Sequence, residues 1–181
     1  MGKTREIQIE NAAWVASHVA RLVTTMAQEL HLDTPVVFAG IRRRGPALAA
    51  RLAAALQAQG FGNLQTGAVD VRFERDDIAL RGPVSGDGGT QLPAIDGRTV
   101  VLVDDVLHTG RTVRAALSEI MNFGRPAAIR LAVLIDRGGR EMPIAPDYFG
   151  AHKEAGRAQN VVVKVQEIDG EDGVWLVDLK P

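Results

Sequence analysis

The chain has 181 residues, enough for one domain with a sizeable hydrophobic core. Its 21 basic and 22 acidic residues give a net charge of −1, so any affinity for nucleic acid must come from a local patch. The chain contains no cysteine, which excludes disulfides and thiolate chemistry. Residues 1–10 include charged side chains and lack the apolar segment of a signal peptide. No run in the chain approaches the roughly 18 apolar residues of a membrane span. We therefore expect a cytoplasmic protein with neither a signal peptide nor a membrane segment.

The first third of the chain shows the patterns of two helices and two strands. Asn11 is a candidate N-cap for an amphipathic helix over about 11–30, where apolar residues recur at helical spacing. The run 35–40 predicts a short buried strand, and Pro46 suits the first turn of a helix that extends to about residue 59. Alternating and branched residues over 64–73 indicate another strand.

Two polar segments in this part of the chain are candidates for contact with an anion. Three arginines at 42–44 stand between a strand end and a helix start and form a candidate anion site, although a solvated basic loop is the alternative. Gly45, which follows them, allows close approach of a ligand or of the backbone. The segment 74–97 is rich in Gly, Asp, Pro and Arg and has no apolar period. Because loops of this length inside compact domains are usually functional or mobile, we interpret it as a lid from which Arg81 could reach an anion.

The most informative stretch joins a buried strand to a helix. The apolar run 100–103 indicates a strand buried on both faces, and it ends at Asp104 and Asp105. Adjacent charges there are costly unless they bind something, so the carboxylates are candidates for holding sugar hydroxyls or hydrated Mg²⁺. A Thr-Gly turn at 109–112 then opens a helix over 112–123, whose N-terminal amides and dipole suit a phosphate. An ordinary strand–turn–helix is the alternative, but it leaves the two acids unexplained.

The last third predicts two more strands of the core and a terminal hairpin. The run 128–135 indicates a strand, and the polar segment 136–141 follows it at the sheet edge where open α/β folds bind ligands. A brief last core strand is predicted at 147–150. Alternation over 161–168 and 174–179, around a Gly- and Asp-rich turn, predicts a β-hairpin.

These elements resemble, in order and spacing, a type I phosphoribosyltransferase. The stretch 100–112 is similar to the motif with which those enzymes bind phosphoribosyl pyrophosphate (PRPP): four apolar residues, two acids and a Thr-Gly turn. The segment 131–144 looks like the corresponding segment of the PyrR family, which comprises bifunctional pyrimidine-operon regulators with uracil phosphoribosyltransferase activity. Further similarity lies at 40–45, 70–77 and 124–126, and overall it runs from about residue 35 to 168.

The resemblance implies an α/β fold with a parallel sheet flanked by helices. One phosphoribosyltransferase domain would span 1–181, with a core at about 35–150, the lid at about 74–97, and a small C-terminal β-hairpin or hood at about 160–180. It also implies transfer of the phosphoribosyl group of PRPP to uracil, giving UMP and pyrophosphate, with Mg²⁺ as cofactor. Regulation would act by binding pyrimidine-operon mRNA, favoured by UMP or UTP, in a homodimer or higher homo-oligomer.

The resemblance assigns roles to particular residues. Asp104 and Asp105 would be catalytic, holding ribose hydroxyls and Mg²⁺ directly or through water. The turn 107–112 would cradle the 5′-phosphate. Arg43, Arg44 and Gly45, in what we call the arginine loop (residues 42–45), would bind pyrophosphate, and Arg137 with Val161 would border the uracil pocket. The residues expected to contact PRPP or UMP are Arg43, Arg44, Gly45, Arg81, Asp105, Val106, Leu107, His108, Thr109, Gly110, Arg111, Thr112, Val113, Arg137 and Val161.

RNA binding is where the sequence departs from the family. The RNA surface implied by the family is basic, and Arg21 and Arg140 are the candidates for it here. The first helix has few other basic residues, and Gly139 stands where the family commonly carries His. This pattern predicts weak, salt-sensitive RNA binding at best.

Two other functions are compatible with the same fold. One is a non-catalytic regulator that binds RNA and senses nucleotides through an old active site, and the intact acid pair and Thr-Gly turn argue against it. The other is a purine phosphoribosyltransferase, which the segment 136–144 and His108 disfavour.

Overall fold

The computed structural model describes residues 5–71, 89–156 and 158–179. The strands are β1 Glu6–Glu10, β2 Val36–Ile41, β3 Leu64–Val69, β4 Thr99–Leu107, β5 Ala128–Asp136, β6 Tyr148–His152, β7 Gln159–Lys164 and β8 Gly173–Asp178. The helices are α1 Ala12–Glu29, α2 Gly45–Gln57, α3 Arg111–Phe123 and the single turn α4 Gln166–Asp169. Arg81 and residues 74–88 of the predicted lid lie outside the described residues.

The main sheet has five strands in the order β3-β2-β4-β5-β6, and every neighbouring pair is parallel. The predicted α/β fold with a parallel sheet is therefore confirmed. Because parallel strands point the same way, their carboxyl ends share one edge, and the loops after them meet there. The strand at the centre is β4, which carries the two acids near its carboxyl end and continues past them to Leu107.

Both faces of this sheet are buried, which explains the continuous apolar runs in its strands. Phe38 and Val101 pack with α1 and α2 on one face. Val37 and Leu102, their neighbours in sequence, pack with α3 on the other. The first predicted helix begins as expected, since the Asn11 side chain accepts a hydrogen bond from the Trp14 amide. No helix in the described part of the chain is long and apolar enough to cross a membrane.

A second, antiparallel sheet has the order β1-β8-β7 and, with α4, forms the hood. The predicted hairpin is formed by β7 and β8, and the sheet differs from the prediction in two respects. Its first strand ends at Lys164, because the Asp169 carboxylate and the Val165 amide pair locally and wind the chain into α4. A third strand, β1, was not predicted, since Glu6–Glu10 is short and largely exposed.

The strand predicted over 64–73 is shorter than expected. It ends at Val69, and the Asp70 amide donates to the Thr90 hydroxyl instead of to a neighbouring strand. The central strand is longer than the predicted apolar run 100–103, because β4 continues through both acids to Leu107. The other predicted core strands and helices begin and end within two residues of their predicted bounds.

Candidate active site

Three strands of the main sheet end side by side at one edge and bring together residues distant in sequence. The register pairs Gly40 of β2 with Val103 of β4, and Leu107 of β4 with Asp136 of β5. The arginine loop after β2, the acid pair at the end of β4 and the turn after β5 are therefore neighbours. This is the position at which open α/β sheets bind their ligands.

The acid pair is held by its own backbone. Oδ1 of Asp104 accepts from the Asp105 amide at 2.9 Å, and Oδ1 of Asp105 accepts from the Val106 amide at 2.9 Å. Asp104 is buried, and Oδ2 of Asp105 lies 3.8 Å from Nη1 of Arg44. Burial raises the pKa of Asp105, and a hydrogen bond with Asp104 and the charge of Arg44 oppose that rise. A cation or a hydroxyl donor placed here would compensate for the loss of solvation.

The acid pair fits Mg²⁺ in particular. In the described part of the chain, no group of three or more His, Asp or Glu side chains could hold a metal ion by itself. Protein-bound Mg²⁺ commonly takes only one or two carboxylates and completes its shell with water and substrate phosphates. Here the two adjacent carboxylates would be the protein's ligands, and a phosphate bound at the neighbouring candidate site could be another.

The turn after β4 leads directly into the N-terminus of α3. Gly110 caps the helix with a φ of 92°, a conformation that favours glycine. The Thr109 carbonyl accepts from the amides of Glu141 and Met142 at 3.0 and 3.1 Å, and the Thr109 hydroxyl accepts from the Arg111 amide. The segment after β5 thus fixes the turn, and the first amides of α3 present an anion-binding end.

The arginine loop is constrained by two glycines. A Cβ on Gly45 would lie 2.5 Å from the Val103 carbonyl oxygen, and one on Gly40 would lie 2.2 Å from the Pro46 nitrogen. The loop therefore packs directly on β4 at Val103. The peptide between Arg42 and Arg43 is cis. Arg43 is exposed, whereas the guanidinium of Arg44 faces inward toward the acid pair.

Arg137 and His108 meet between the β4 and β5 turns. Nη1 of Arg137 lies 2.7 Å from Nδ1 of His108, and Nη2 donates to the Gln159 carbonyl of β7 at 2.6 Å. Burial and the charge of Arg137 lower the pKa of His108, which favours the neutral imidazole. A Cβ on Gly139 would lie 3.0 Å from the His108 ring, which gives glycine a structural reason at this position.

Three further predicted residues differ in burial and in their contacts. Val161 is buried in β7, two residues from the carbonyl that Arg137 reaches. Arg140 donates to the His108 carbonyl at 2.9 Å and to Oδ1 of Asp136 at 2.7 Å, so it braces the turn. Arg21 is exposed on α1, away from these contacts. The catalytic, substrate-binding and RNA-binding roles assigned to individual residues stay predictions.

Sequence reasoning missed the contribution of the hood. The Asp169 carboxylate pairs with Nε and Nη2 of Arg44 at 2.8 and 2.9 Å, although 125 positions separate them. Arg51, on the helix that begins directly after Arg44, pairs with Glu167 and Asp172. Asp169 and Asp172 belong to the predicted polar turn and Glu167 to the predicted strand 161–168, and no local pattern identifies the arginines that they face.

These ion pairs predict acid sensitivity. The hydrogen bond from Arg44 is the main reason that the pKa of Asp169 falls to about 2, and that from Arg51 lowers the pKa of Glu167. A carboxylate whose pKa is depressed on folding stabilises the fold above its unfolded pKa, and this stabilisation is lost as pH falls through the folded pKa. We expect Asp169 to contribute roughly 1 kcal/mol, after allowance for screening, that disappears between about pH 4 and pH 2. Urea unfolding of wild type and Asp169→Asn over that range tests this, and parallel curves would contradict it.

The comparisons with known proteins agree with this geometry. A protein-family model described as "Phosphoribosyl transferase domain" matches residues 15–167. Bifunctional protein PyrR of Roseiflexus sp. is 45% identical over 174 residues, which cover 95% of each chain. Bifunctional protein PyrR of Chloroflexus aurantiacus is 51% identical over 167 residues, 90% of this chain and 92% of that protein. This chain belongs to the PyrR family of phosphoribosyltransferases.

Solved structures extend the likeness in fold beyond PyrR. A hypoxanthine phosphoribosyltransferase from Trypanosoma cruzi superposes with a TM-score of 0.67 at 18% identity, covering 99% of this chain and 96% of that one. A hypoxanthine-guanine phosphoribosyltransferase from Bacillus anthracis gives 0.67 at 13% identity, covering 99% of this chain and all of the other. The predicted PyrR family, fold class and phosphoribosyltransferase activity are confirmed.

Proposed function

We propose that this protein transfers the phosphoribosyl group of PRPP to uracil, giving UMP and pyrophosphate. The observation that carries the proposal is the meeting of three features at one sheet edge: the acid pair, the N-terminus of α3 and the inward-facing Arg44. The acid pair suits a ribose, the N-terminus of α3 suits a 5′-phosphate, and Arg44 suits a pyrophosphate. These groups are the three parts of PRPP. Membership of the PyrR family supports uracil as the acceptor.

PRPP would be bound along this edge. The amides and hydroxyls of the turn 107–112 would hold the 5′-phosphate, helped by the dipole of α3. Asp104 and Asp105 would accept hydrogen bonds from the ribose hydroxyls and would hold Mg²⁺ directly or through water. When bound, Mg²⁺ would neutralise part of the charge on the pyrophosphate group. Arg43 and Arg44 would bind that group from the other side.

The reaction would then be a displacement at the anomeric carbon. The bond from C1′ to the pyrophosphate oxygen breaks as the bond from C1′ to uracil N1 forms, and the N1 proton is released. The basic loop would stabilise charge that grows on pyrophosphate, while the Asp105 carboxylate would stabilise positive charge on the ribose ring. Uracil N1–H is fairly acidic, so a dedicated base is not required, and neutral His108 is better suited to packing beside Arg137.

Uracil would occupy the space bordered by Arg137 and β7. The test is a set of parallel reactions with PRPP, Mg²⁺ and either uracil, hypoxanthine or guanine, followed by separation of the nucleotides. We expect UMP to form at least 100-fold faster than IMP or GMP, because the loss of matched hydrogen bonds discriminates strongly. Faster formation of a purine nucleotide would replace this proposal with the purine enzyme.

We also propose that the protein binds pyrimidine-operon mRNA, as a homodimer or higher homo-oligomer, in the cytoplasm. The relatives named bifunctional support the regulatory half. Exposed Arg21 supports a contact on α1, whereas Arg140 is engaged within its own turn. Binding should therefore be weak and steeply salt-dependent, and UMP should strengthen it. Titration of the operon leader RNA at low and physiological salt, with UMP or with PRPP, measures these two dependences. An RNA affinity that changes neither with salt nor with UMP would contradict the proposal.

A further inference from the structure

Arg44 lies between two carboxylates that come from opposite sides of the site. Its Nε and Nη2 donate to the two oxygens of Asp169, on the hood, at 2.8 and 2.9 Å. Its Nη1 lies 3.8 Å from Oδ2 of Asp105, at the end of β4. The shorter, paired contact is a charge-assisted hydrogen bond, whereas the longer one is only electrostatic. Arg44 is therefore held by the hood and not by the acid pair.

Asp169 is itself fixed in position. Its Oδ2 also accepts from the Val165 amide at 3.0 Å, and its own amide donates to the Val165 carbonyl. The side chain is only 11% exposed. A guanidinium has five N–H donors, and the two bonds to Asp169 use two of them along one edge. Of the remaining donors, those on Nη1 lie nearest to Asp105, beside which PRPP would lie.

We infer that Asp169 is a positioning residue for PRPP, because it holds the Arg44 guanidinium away from Asp105. This inference rests on the proposed function. Holding the two groups apart keeps Arg44 available for pyrophosphate and Asp105 available for ribose and Mg²⁺. Asp169 acts through Arg44 and does not need to touch the substrate.

Loss of Asp169 would have two opposing effects on PRPP. It would remove a competing negative charge, which by itself favours binding of an anion. It would also allow Arg44 to close the remaining gap to Asp105, a poorly solvated carboxylate. A direct pair at that site would be stronger than one in water and would occupy both groups at once. Because both PRPP-binding groups would be lost together, the second effect should dominate.

Arg51, an arginine on α2, provides an internal comparison. Arg51, seven residues after Arg44, pairs with Glu167 and with Asp172 of the same hood segment. The Oδ1 atom of Asp172 also accepts from the Gln166 amide, just as Asp169 accepts from Val165. Asp172 thus anchors the hood without contacting the guanidinium beside Asp105. Asp169→Asn and Asp172→Asn both remove one charged pair and keep a side-chain acceptor.

The experiment measures PRPP binding by calorimetry in the presence of Mg²⁺ and without uracil. We expect Asp169→Asn to weaken PRPP about tenfold, Asp169→Glu to recover part of the loss, and Asp172→Asn to bind as wild type. The KM for uracil should stay within about twofold in all three, whereas general loosening of the hood would raise it as well. Circular dichroism checks that each variant is folded.

Two results would overturn the inference while leaving the proposed function intact. One is PRPP binding by Asp169→Asn that matches wild type. The other is an equal loss in Asp172→Asn, which would mean that only anchoring of the hood matters. Wild-type protein that binds no PRPP would overturn the proposed function, and the positioning role with it.

Discussion

Replacing Asp105 with Asn should lower uracil-dependent turnover by about a thousandfold. The substitution keeps the side-chain oxygen that accepts from the Val106 amide, so the local backbone is expected to stay as it is. It removes the negative charge that would hold Mg²⁺ and stabilise the ribose ring as it becomes cation-like. Because Asp105 is only half-buried and Arg44 stays paired with Asp169, stability should change little. Initial rates of pyrophosphate release at saturating PRPP and uracil measure the effect.

The matched control is Asp96→Asn. Asp96 precedes β4, at the opposite end of the same strand, and its carboxylate accepts from the Arg125 amide as Asn could. We expect this variant to retain wild-type turnover within about twofold. If Asp105→Asn also stayed within about tenfold of wild type, the acid pair would not be the catalytic centre.

Replacing Gly45 with Ala should destabilise the protein by about 3 kcal/mol, although alanine is the better helix former by about 1 kcal/mol. The reason is steric: the added Cβ would lie 2.5 Å from the Val103 carbonyl oxygen and 3.0 Å from the Gly40 carbonyl carbon. Both neighbours are backbone atoms in the central part of the sheet, which cannot move away as a side chain can. The arginine loop would have to shift away from β4, so the affinity for PRPP should fall as well.

Urea unfolding monitored by circular dichroism measures the loss of stability. Gly62→Ala is the control, because Gly62 is exposed and a Cβ there would have nothing within 4 Å. That variant should unfold within about 0.5 kcal/mol of wild type. A Gly45→Ala protein as stable as the Gly62→Ala protein would mean that the loop and β4 are not in the close contact described here.

The fold was predictable where residue patterns reflect burial on both sides. The runs 35–40, 100–103 and 128–135 are apolar because helices cover both faces of the sheet, and each proved to be a parallel strand. Exposed elements left weaker patterns. Glu6–Glu10 alternates over only five residues, and α4 is a single turn created by the Asp169 carboxylate, so neither was predicted.

The candidate site was also predictable only in part. Two acids that directly follow a buried apolar run are conspicuous in sequence, because charge at such a position needs a ligand or a partner. The pairing of Arg44 with Asp169 leaves no such trace, since it depends on how the hood folds back over a loop 125 residues earlier. The contact between His108 and Arg137 is hidden for the same reason, and with it the steric need for glycine at 139.

The most direct test of the proposed function is the rate of pyrophosphate release from PRPP and Mg²⁺, measured with and without uracil. We predict release that depends on uracil, yields UMP in equal amount and stops when EDTA removes the metal. Binding of PRPP or UMP without uracil-dependent release would contradict catalysis. The protein would then be a regulator that senses nucleotides in an inactive site.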